Sequence, residues 1–349
     1  MYQYLLKPIL FKFNPEKIHC LFVWIGEFTG RFLIGRWKIG LFYNYKAKDK
    51  EKTVDGIKYR TPFLLSAGFD YNARLMNILP SIGLAGEEIG SITARQCVGN
   101  PGKQLTRLPK SKSILVNKGL KNDGVDVIIE RIKKYKSQKR NLSNFVLGIS
   151  IARTNDEKSA PIEAGIEDYV YSFKRLNEEN IGDYYTINIS YPNVFGGEAF
   201  TNPDLLNRLL IAIKKIPCTK PVYIKMPINL KWYEFSKLLN IIDRNGLNGV
   251  VIGNLNKNYD HLDVRDEAPA GYCGGISGKP CFQPSTELIR QTRELYGKRF
   301  TIIGCGGVMS IETAQEKFDS GADLVQIISG LIFNGPGLVK KLCKGVIVH

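Results

Sequence analysis

From residue 60 onward the chain repeats one pattern: a short apolar run rich in β-branched and aromatic residues, then a longer stretch with apolar residues at helical spacing. Eight such runs read as strands: Pro62–Ala67, Glu88–Thr93, Phe145–Ile151, Tyr184–Ser190, Pro221–Met226, Gly249–Gly253, Phe300–Gly304 and Leu324–Ser329. Helical stretches separate most of them: Val125–Lys136, Glu163–Glu179, Pro203–Lys215, Trp232–Asn245, Thr286–Tyr296 and Ile311–Ser320. Repeated strand–helix units demand a parallel sheet buried on both faces. Eight of them predict closure into an α/β (β/α)₈ TIM barrel, with an open doubly wound sheet as the alternative. Such a barrel takes roughly 250 residues. The chain has 349, so there is room for an appendage.

That appendage sits at the N-terminus. Asn14-Pro15-Glu16 reads as a helix start, with a capping Asn, Pro in the first turn and Glu on the positive end of the dipole. Ile18, Leu21, Phe22, Ile25 and Phe28 follow near helical spacing, Val23 and Trp24 widen the face, and Gly30 ends the helix. A second apolar piece, Phe32-Leu33-Ile34 with Trp37, Ile39, Leu41 and Phe42, is rimmed like the first by lysine and arginine. Two short amphipathic helices of this kind fit a structure lying on a bilayer, or faces that pack on the main domain. Lys46 to Lys52 is a charged linker, so residues 1–45 divide from a main domain over 46–349. No uninterrupted apolar run reaches the ~18 residues of a spanning helix. Charges interrupt the N-terminal apolar stretch too early for a secretory signal.

The formal charge of +16 favours acidic partners, namely phosphates, anionic lipid or nucleic acid. The basic residues are dispersed rather than striped, which argues against nucleic acid. Seven cysteines, an odd number without C-x-x-C pairs, suit a reducing compartment. Three histidines, at 19, 261 and 349, make no His-based metal cluster, and only His261 sits in a loop where it could serve a Ser-His-Asp site. The chemistry is therefore expected to come from a cofactor.

In a barrel of this kind the active site lies at the C-terminal strand ends. Here those ends are polar or glycine-rich. Gly304-Cys305-Gly306-Gly307 precedes the helix at Ser310, and Ser329-Gly330 is followed by Gly335-Pro336-Gly337 and another helix. Loops after strands seven and eight commonly hold phosphate, because glycines let backbone N–H groups approach and a helix start adds favourable dipole charge. Lys225 lies in a buried-looking strand, where a cation is costly without an anionic partner. That partner is either the N1/O2 edge of a reduced flavin or a barrel carboxylate. Asn188, Asn193 and Asn254 are expected to face one pocket, offering donors and acceptors to a flat heterocycle.

Several motifs give the chain a family likeness over nearly its whole length. They are Asn14-Pro15-Glu16-Lys17-Ile18-His19, Ser66-Ala67-Gly68-Phe69-Asp70, Gly90-Ser91-Ile92-Thr93-Ala94-Arg95, Gly99-Asn100-Pro101, Arg107-Leu108-Pro109 and Lys121-Asn122-Asp123-Gly124-Val125-Asp126. Asn188-Ile189-Ser190-x-Pro192-Asn193, Gly274 to Pro280 and the two glycine loops complete the set. In order and spacing the chain resembles the class 2 dihydroorotate dehydrogenases, which are quinone-linked and membrane-associated. The resemblance implies an FMN-binding barrel that oxidises (S)-dihydroorotate to orotate in pyrimidine biosynthesis. It also implies that residues 1–45 form a quinone tunnel, peripheral on the cytoplasmic side of the inner membrane. By the same resemblance Ala67, Gly68, Ser91, Ser150, Asn188, Lys225, Gly278, Gly307 and Ser329 would hold the FMN. Tyr71, Asn117, Asn188, Asn193 and Asn254 would reach the substrate.

The departures from the family pattern cluster around the substrate. Tyr71 stands where the family has a lysine, and Tyr191 where it has the catalytic serine or cysteine. Val116 replaces an asparagine, with Asn117 displaced by one; Ser150 replaces the strand-three asparagine, and Leu255 a threonine. Tyr191 is therefore the candidate acid/base. A phenol, with a reference pKa near 10, needs nearby cations to act as a base, and Lys118 and Lys121 are the candidates for that help. Lys118 also stands as a possible replacement for the missing carboxylate partner. Two other readings stay open: a flavoenzyme that reduces or desaturates a different small substrate with Tyr191 as proton donor or acceptor, and a non-enzymatic flavin- or phosphate-binding protein.

Overall fold

The computed structural model describes residues 2–46, 48–137, 145–259, 266–267 and 274–348; His261 falls outside them. After a helical turn over Tyr2–Leu6 come helices α1 (Lys7–Leu10), α2 (Pro15–Gly30) and α3 (Leu33–Tyr43). The hairpin β1 (Lys52–Val54) and β2 (Ile57–Tyr59) leads into the first barrel strand, β3 (Phe63–Leu65), and then β4 (Gly86–Ile92). An excursion, β5 (Leu105–Leu108) and β6 (Ser113–Val116), precedes α4 (Val125–Ser137). The alternation then runs β7 (Val146–Ile151), α5 (Ile162–Glu178), β8 (Tyr184–Asn188), α6 (Pro203–Lys214), β9 (Val222–Met226), α7 (Trp232–Arg244) and β10 (Gly249–Ile252). A second excursion, β11 (Gly275–Gly278), pairs antiparallel with β6, making the sheet β11-β6-β5. The chain closes with α8 (Phe282–Tyr296), β12 (Thr301–Cys305), α9 (Ile311–Asp319), β13 (Leu324–Ile327), α10 (Ser329–Asn334) and α11 (Leu338–Gly345).

Eight strands, β3, β4, β7, β8, β9, β10, β12 and β13, pair in parallel into a closed barrel. All eight predicted strands are present, and the open-sheet alternative is excluded. Side chains alternate between the two faces with the strand period of two. Leu64, Ala85, Val146, Tyr184, Tyr223, Val251, Ile303 and Leu324 fill the bottom of the barrel, and Val54 and Tyr59 of the hairpin pack into the same cluster. The Tyr184 ring occupies the space that a Cβ on Gly148 would need, so only glycine fits there. Further along the strands the inward positions turn polar: Ser66, Lys225 and Gln326 lie two residues beyond the apolar plug, and Ser150 and Asn188 four.

The helix layer is irregular in one place. Between β3 and β4 the chain forms only a single 3₁₀ turn, Leu79–Ile82, and the N-terminal helices pack over this segment. A Cβ at Gly26 would meet Leu75, and one at Gly30 would meet Asn77 and Ile78, so α2 approaches the barrel through its glycine face. Of α2 only Val23 and Gly30 are buried, and of α3 no residue is. Trp24, Phe28, Phe32, Leu33, Ile34, Trp37, Leu41 and Phe42 remain exposed. The faces that packing on the main domain would have covered therefore look outward. Among the described residues no single helix is long and apolar enough to cross a membrane; α2 and α3 pass that test only as a pair, bent by 113°.

Candidate active site

One cavity of about 470 Å³ opens at the C-terminal strand ends and continues under the N-terminal helices. Its inner part is lined by Ala67, Gly68, Ser91, Asn188, Lys225 and Asn254. Gly278, Gly306, Gly307, Ser329 and Gly330 line it as a glycine-rich group, and Tyr71, Lys118 and Tyr191 line it too. Leu10, Phe11, Ile18, His19, Phe22 and Ile25 then line an apolar passage toward α2 and α3.

The glycine-rich group is built for close approach. Gly307 has φ +76°, and a Cβ there would lie 2.4–2.9 Å from Phe282. Gly278, at φ +89°, would meet the Lys112 carbonyl at 2.4 Å. Gly330 is equally tight against the Val308 carbonyl. The Gly307 turn precedes α9, which Ser310 caps through the Thr313 N–H; Gly278 leads toward α8, and Gly330 lies in the first turn of α10. Ser329, 3.2 Å from Ser277 Oγ, begins α10. Bare backbone at two helix starts suits a phosphate.

Lys225 projects from β9 into the barrel centre. Its ammonium lies 3.4 Å from Ser66 Oγ and 3.9 Å from Glu88 Oε1. Both distances are long for hydrogen bonds, so the barrel carboxylate pairs with Lys225 without exhausting its donors. Glu88 is itself held by Thr186 (2.9 Å), Gln326 (2.8 Å) and Tyr184 (3.4 Å). This polar floor fixes a cation beneath the cavity. Above it, Asn188 donates to Ser91 Oγ (2.8 Å), and Asn254 donates to Ser190 Oγ (2.7 Å) and Asn188 Oδ1 (3.2 Å). Ser190 anchors the cluster to the Lys225 carbonyl at 2.9 Å.

Three residues expected at the surface of the site stand behind it. Ser150 bonds Ser91 Oγ at 2.7 Å and supports it from β7. Asn117 accepts from Asn100 at 2.7 Å, with Val116 taking its place on the wall. Asn193 donates to the Val116 carbonyl at 2.9 Å and accepts from Asn100 through its own carbonyl. It staples the β8 loop to β6 rather than facing the pocket with Asn188 and Asn254. The reason is tertiary: the antiparallel sheet brings the 116–120 segment over the strand ends, and these amides are consumed in holding it there. That sheet, from segments outside the strand–helix alternation, is what the sequence reading missed. Gly278, whose positive φ begins the turn after β11, was its one visible signal.

Tyr191 lines the cavity, but without the expected help from cations. Burial pushes its phenol up to about 12, opposed chiefly by backbone N–H groups of Gly119, Leu120 and Lys118. Among the described residues its hydroxyl has no well-aligned partner, although the Asn193 amide lies close enough to lower its pKa slightly. Lys118 turns instead toward Tyr71, donating to its hydroxyl at 3.2 Å with the ammonium 4.4 Å from the ring centroid. On the Tyr71 ring stacks His19, at 5.5 Å, which donates from Nε2 to the Phe69 carbonyl. Burial, with the Lys118 charge adding to it, lowers His19 to about 3, so the imidazole is neutral. Among the described residues no group of His, Cys, Asp and Glu could hold a metal ion.

A glycine cradle suited to a phosphate, and a buried cation below a cluster of amides, fit a flavin-dependent oxidoreductase. The sequence narrows the class. The family model described as dihydroorotate dehydrogenase matches residues 50–348, and the chain belongs to that family. As a member it is a flavin-dependent dehydrogenase acting on a carbon–carbon single bond. It is 34% identical over 358 aligned residues to a protein of Christiangramia forsetii named "Dihydroorotate dehydrogenase (quinone)", covering 99% of both chains. A protein of the same name from Trichodesmium erythraeum is 30% identical, covering 99% of this chain and 94% of its own. The fold matches ligand-free DHODH from Eimeria tenella with a TM-score of 0.84 at 22% identity, covering 95% of this chain and 94% of that one.

Proposed function

We propose that the chain oxidises dihydroorotate to orotate, with FMN in the barrel mouth and a quinone as electron acceptor. One observation carries this reading: the glycine cradle, Lys225, the Asn188–Asn254 cluster and the apolar passage beneath α2 and α3 all belong to one continuous cavity. The residues fit FMN, since Gly278, Gly307 and Ser329 leave room for a phosphate and Lys225 has donors to spare for a ring edge. Bound FMN would supply the hydride acceptor. Everything else falls to the chain. Ala67, Gly68 and Ser91 line the cofactor wall, while Asn188 and Asn254 orient the substrate ring through amide edges. Tyr191 is the group placed to exchange a proton with the substrate carbon. Residues 1–45 form the tunnel extension and 46–349 the barrel. The exposed aromatic faces of α2 and α3, with their basic rim, dock peripherally on the cytoplasmic face of the inner membrane.

The experiment is anaerobic mixing of the FMN-loaded protein with dihydroorotate. Bleaching of the flavin absorbance, followed by its return on addition of quinone, is the expected course. A flavin that stays oxidised with saturating dihydroorotate rejects the substrate assignment.

A further inference from the structure

Lys118 is a buried cation that the barrel chemistry does not use. It is 9% exposed, and among the described residues no carboxylate lies within ion-pair distance of its ammonium. Its partners are the Tyr71 hydroxyl at 3.2 Å and the Tyr71 ring at 4.4 Å. A phenol and a π face offset only part of the cost of taking an ammonium out of water. The deficit shows in its acidity: burial lowers Lys118 to about 8. The charged and titratable groups around it do not remove the deficit. Glu16 and Cys20 of α2 raise its pKa and Lys121 of its own loop lowers it, while His19, stacked on Tyr71, is neutral.

The side chain lines the cavity, so the missing counter-ion has room to enter from there. The backbone of the same residue lies against the Tyr191 phenol. An anion at the ammonium and a reacting carbon at Tyr191 can therefore belong to one small molecule. A quinone carries no charge and leaves the ammonium uncompensated, and the glycine cradle is built from other residues, Gly278, Gly307 and Ser329. We propose that Lys118 anchors a carboxylate on the substrate, with Tyr71 as the residue that positions its ammonium. The identity of the anion, orotate or dihydroorotate, rests on the function proposed above; the existence of an anion site does not.

The test is equilibrium binding, read from the perturbation of flavin absorbance in the full-length, FMN-loaded protein. Orotate and its uncharged methyl ester are titrated against wild type, Lys118→Met, Lys118→Arg and Tyr71→Phe. A charge-assisted contact predicts that wild type prefers orotate over the ester by at least roughly tenfold. Lys118→Met should abolish that preference while leaving ester affinity within about twofold and flavin content unchanged. Lys118→Arg should retain most of it, and Tyr71→Phe, which keeps the ring and loses the hydroxyl, should weaken orotate by about threefold. Equal orotate affinity in wild type and Lys118→Met overturns the anchor. If wild type binds no orotate, the dihydroorotate reading fails, and fumarate and maleate are titrated against their methyl esters instead. A preference for either acid that disappears in Lys118→Met keeps the anchor; the absence of any Lys118-dependent preference overturns it.

Discussion

Two residues show how environment sets chemistry at single positions. Tyr191 lines the cavity, yet burial raises its phenol to about 12. At neutral pH it is protonated and well short of a base matched to its task. If it must lose its proton to act, the rate of flavin reduction at saturating dihydroorotate should climb with pH from 7 to 10 without a plateau. A stopped-flow pH series checks this, and a flat profile excludes the phenolate. Tyr191→Phe should lower the rate by roughly 100-fold, with flavin content intact. Glu87 is the second case. Strand alternation turns it away from the barrel centre that Glu88 faces, and both its carboxyl oxygens are buried without partners. Burial, and then the Asp70 charge, raise its pKa well above the ordinary carboxylate value. A raised carboxylate is neutral when folded and ionised when unfolded, so its stability contribution is present below the unfolded pKa and lost as pH rises. Glu87→Met should therefore raise the thermal midpoint, by the equivalent of about 1–3 kcal/mol at pH 7.5, with a smaller gain at pH 5. Calorimetry at the two pH values decides it.

At the scale of elements, the turn after β12 and the sheet β11-β6-β5 do different work. The turn is rigid because Gly307 has both a positive φ and Phe282 in the space of a Cβ. Gly307→Ala must move the turn or α8, and the phosphate cradle moves with it. The variant should fold but lose FMN on gel filtration, with at least roughly tenfold weaker FMN affinity in fluorescence titration; a variant that stays fully yellow shows that the turn does not hold the cofactor. The antiparallel sheet contributes Gly278 at the end of β11 to that cradle and carries the 116–120 segment that lines the cavity beside Tyr71. The β5–β6 pairing of Leu105 with Val116 and the β6–β11 pairing of Val116 with Gly275 place the 116–120 segment over the strand exits. Two strands of four residues each and a third far along the chain have no periodicity of their own. β5 and β6 form a local hairpin, but its pairing with β11 is long-range, so this wall was not legible in the sequence, while the helices and strands around it were.

At the scale of the molecule, the N-terminal helices complete the barrel rather than decorate it. They cover the place where the β3–β4 connection supplies only a 3₁₀ turn, and they roof the cavity with Ile18, His19, Phe22 and Ile25. Their outer faces expose large aromatic residues such as Trp24 and Trp37. Removal of residues 1–45 should abolish quinone turnover and vesicle binding while flavin stays bound and is still reduced by dihydroorotate. Sedimentation with anionic liposomes and a quinone assay on the truncated protein check it, and surviving quinone turnover removes the tunnel from residues 1–45.

The sequence determined the barrel because each strand is a short apolar run buried on both faces, and each helix an amphipathic stretch between capping and turn residues. Those are local patterns. It determined the glycine cradle and Lys225 for the same reason: a cation in an apolar strand and glycines before a helix start can be read without neighbours. The N-terminal helices were equally visible, but not whether their apolar faces would be covered. What lies beside what was decided only by the tertiary structure. Asn193, Asn117 and Ser150 are spent on supporting contacts that no local pattern announces. Lys118 faces Tyr71 and not the Tyr191 hydroxyl because an antiparallel pairing across some 160 residues of chain fixes the direction of its loop. The physical cause is the same in each instance: propensity and burial pattern act over a few residues, whereas the partner of a buried polar group is set by contacts between segments remote in sequence.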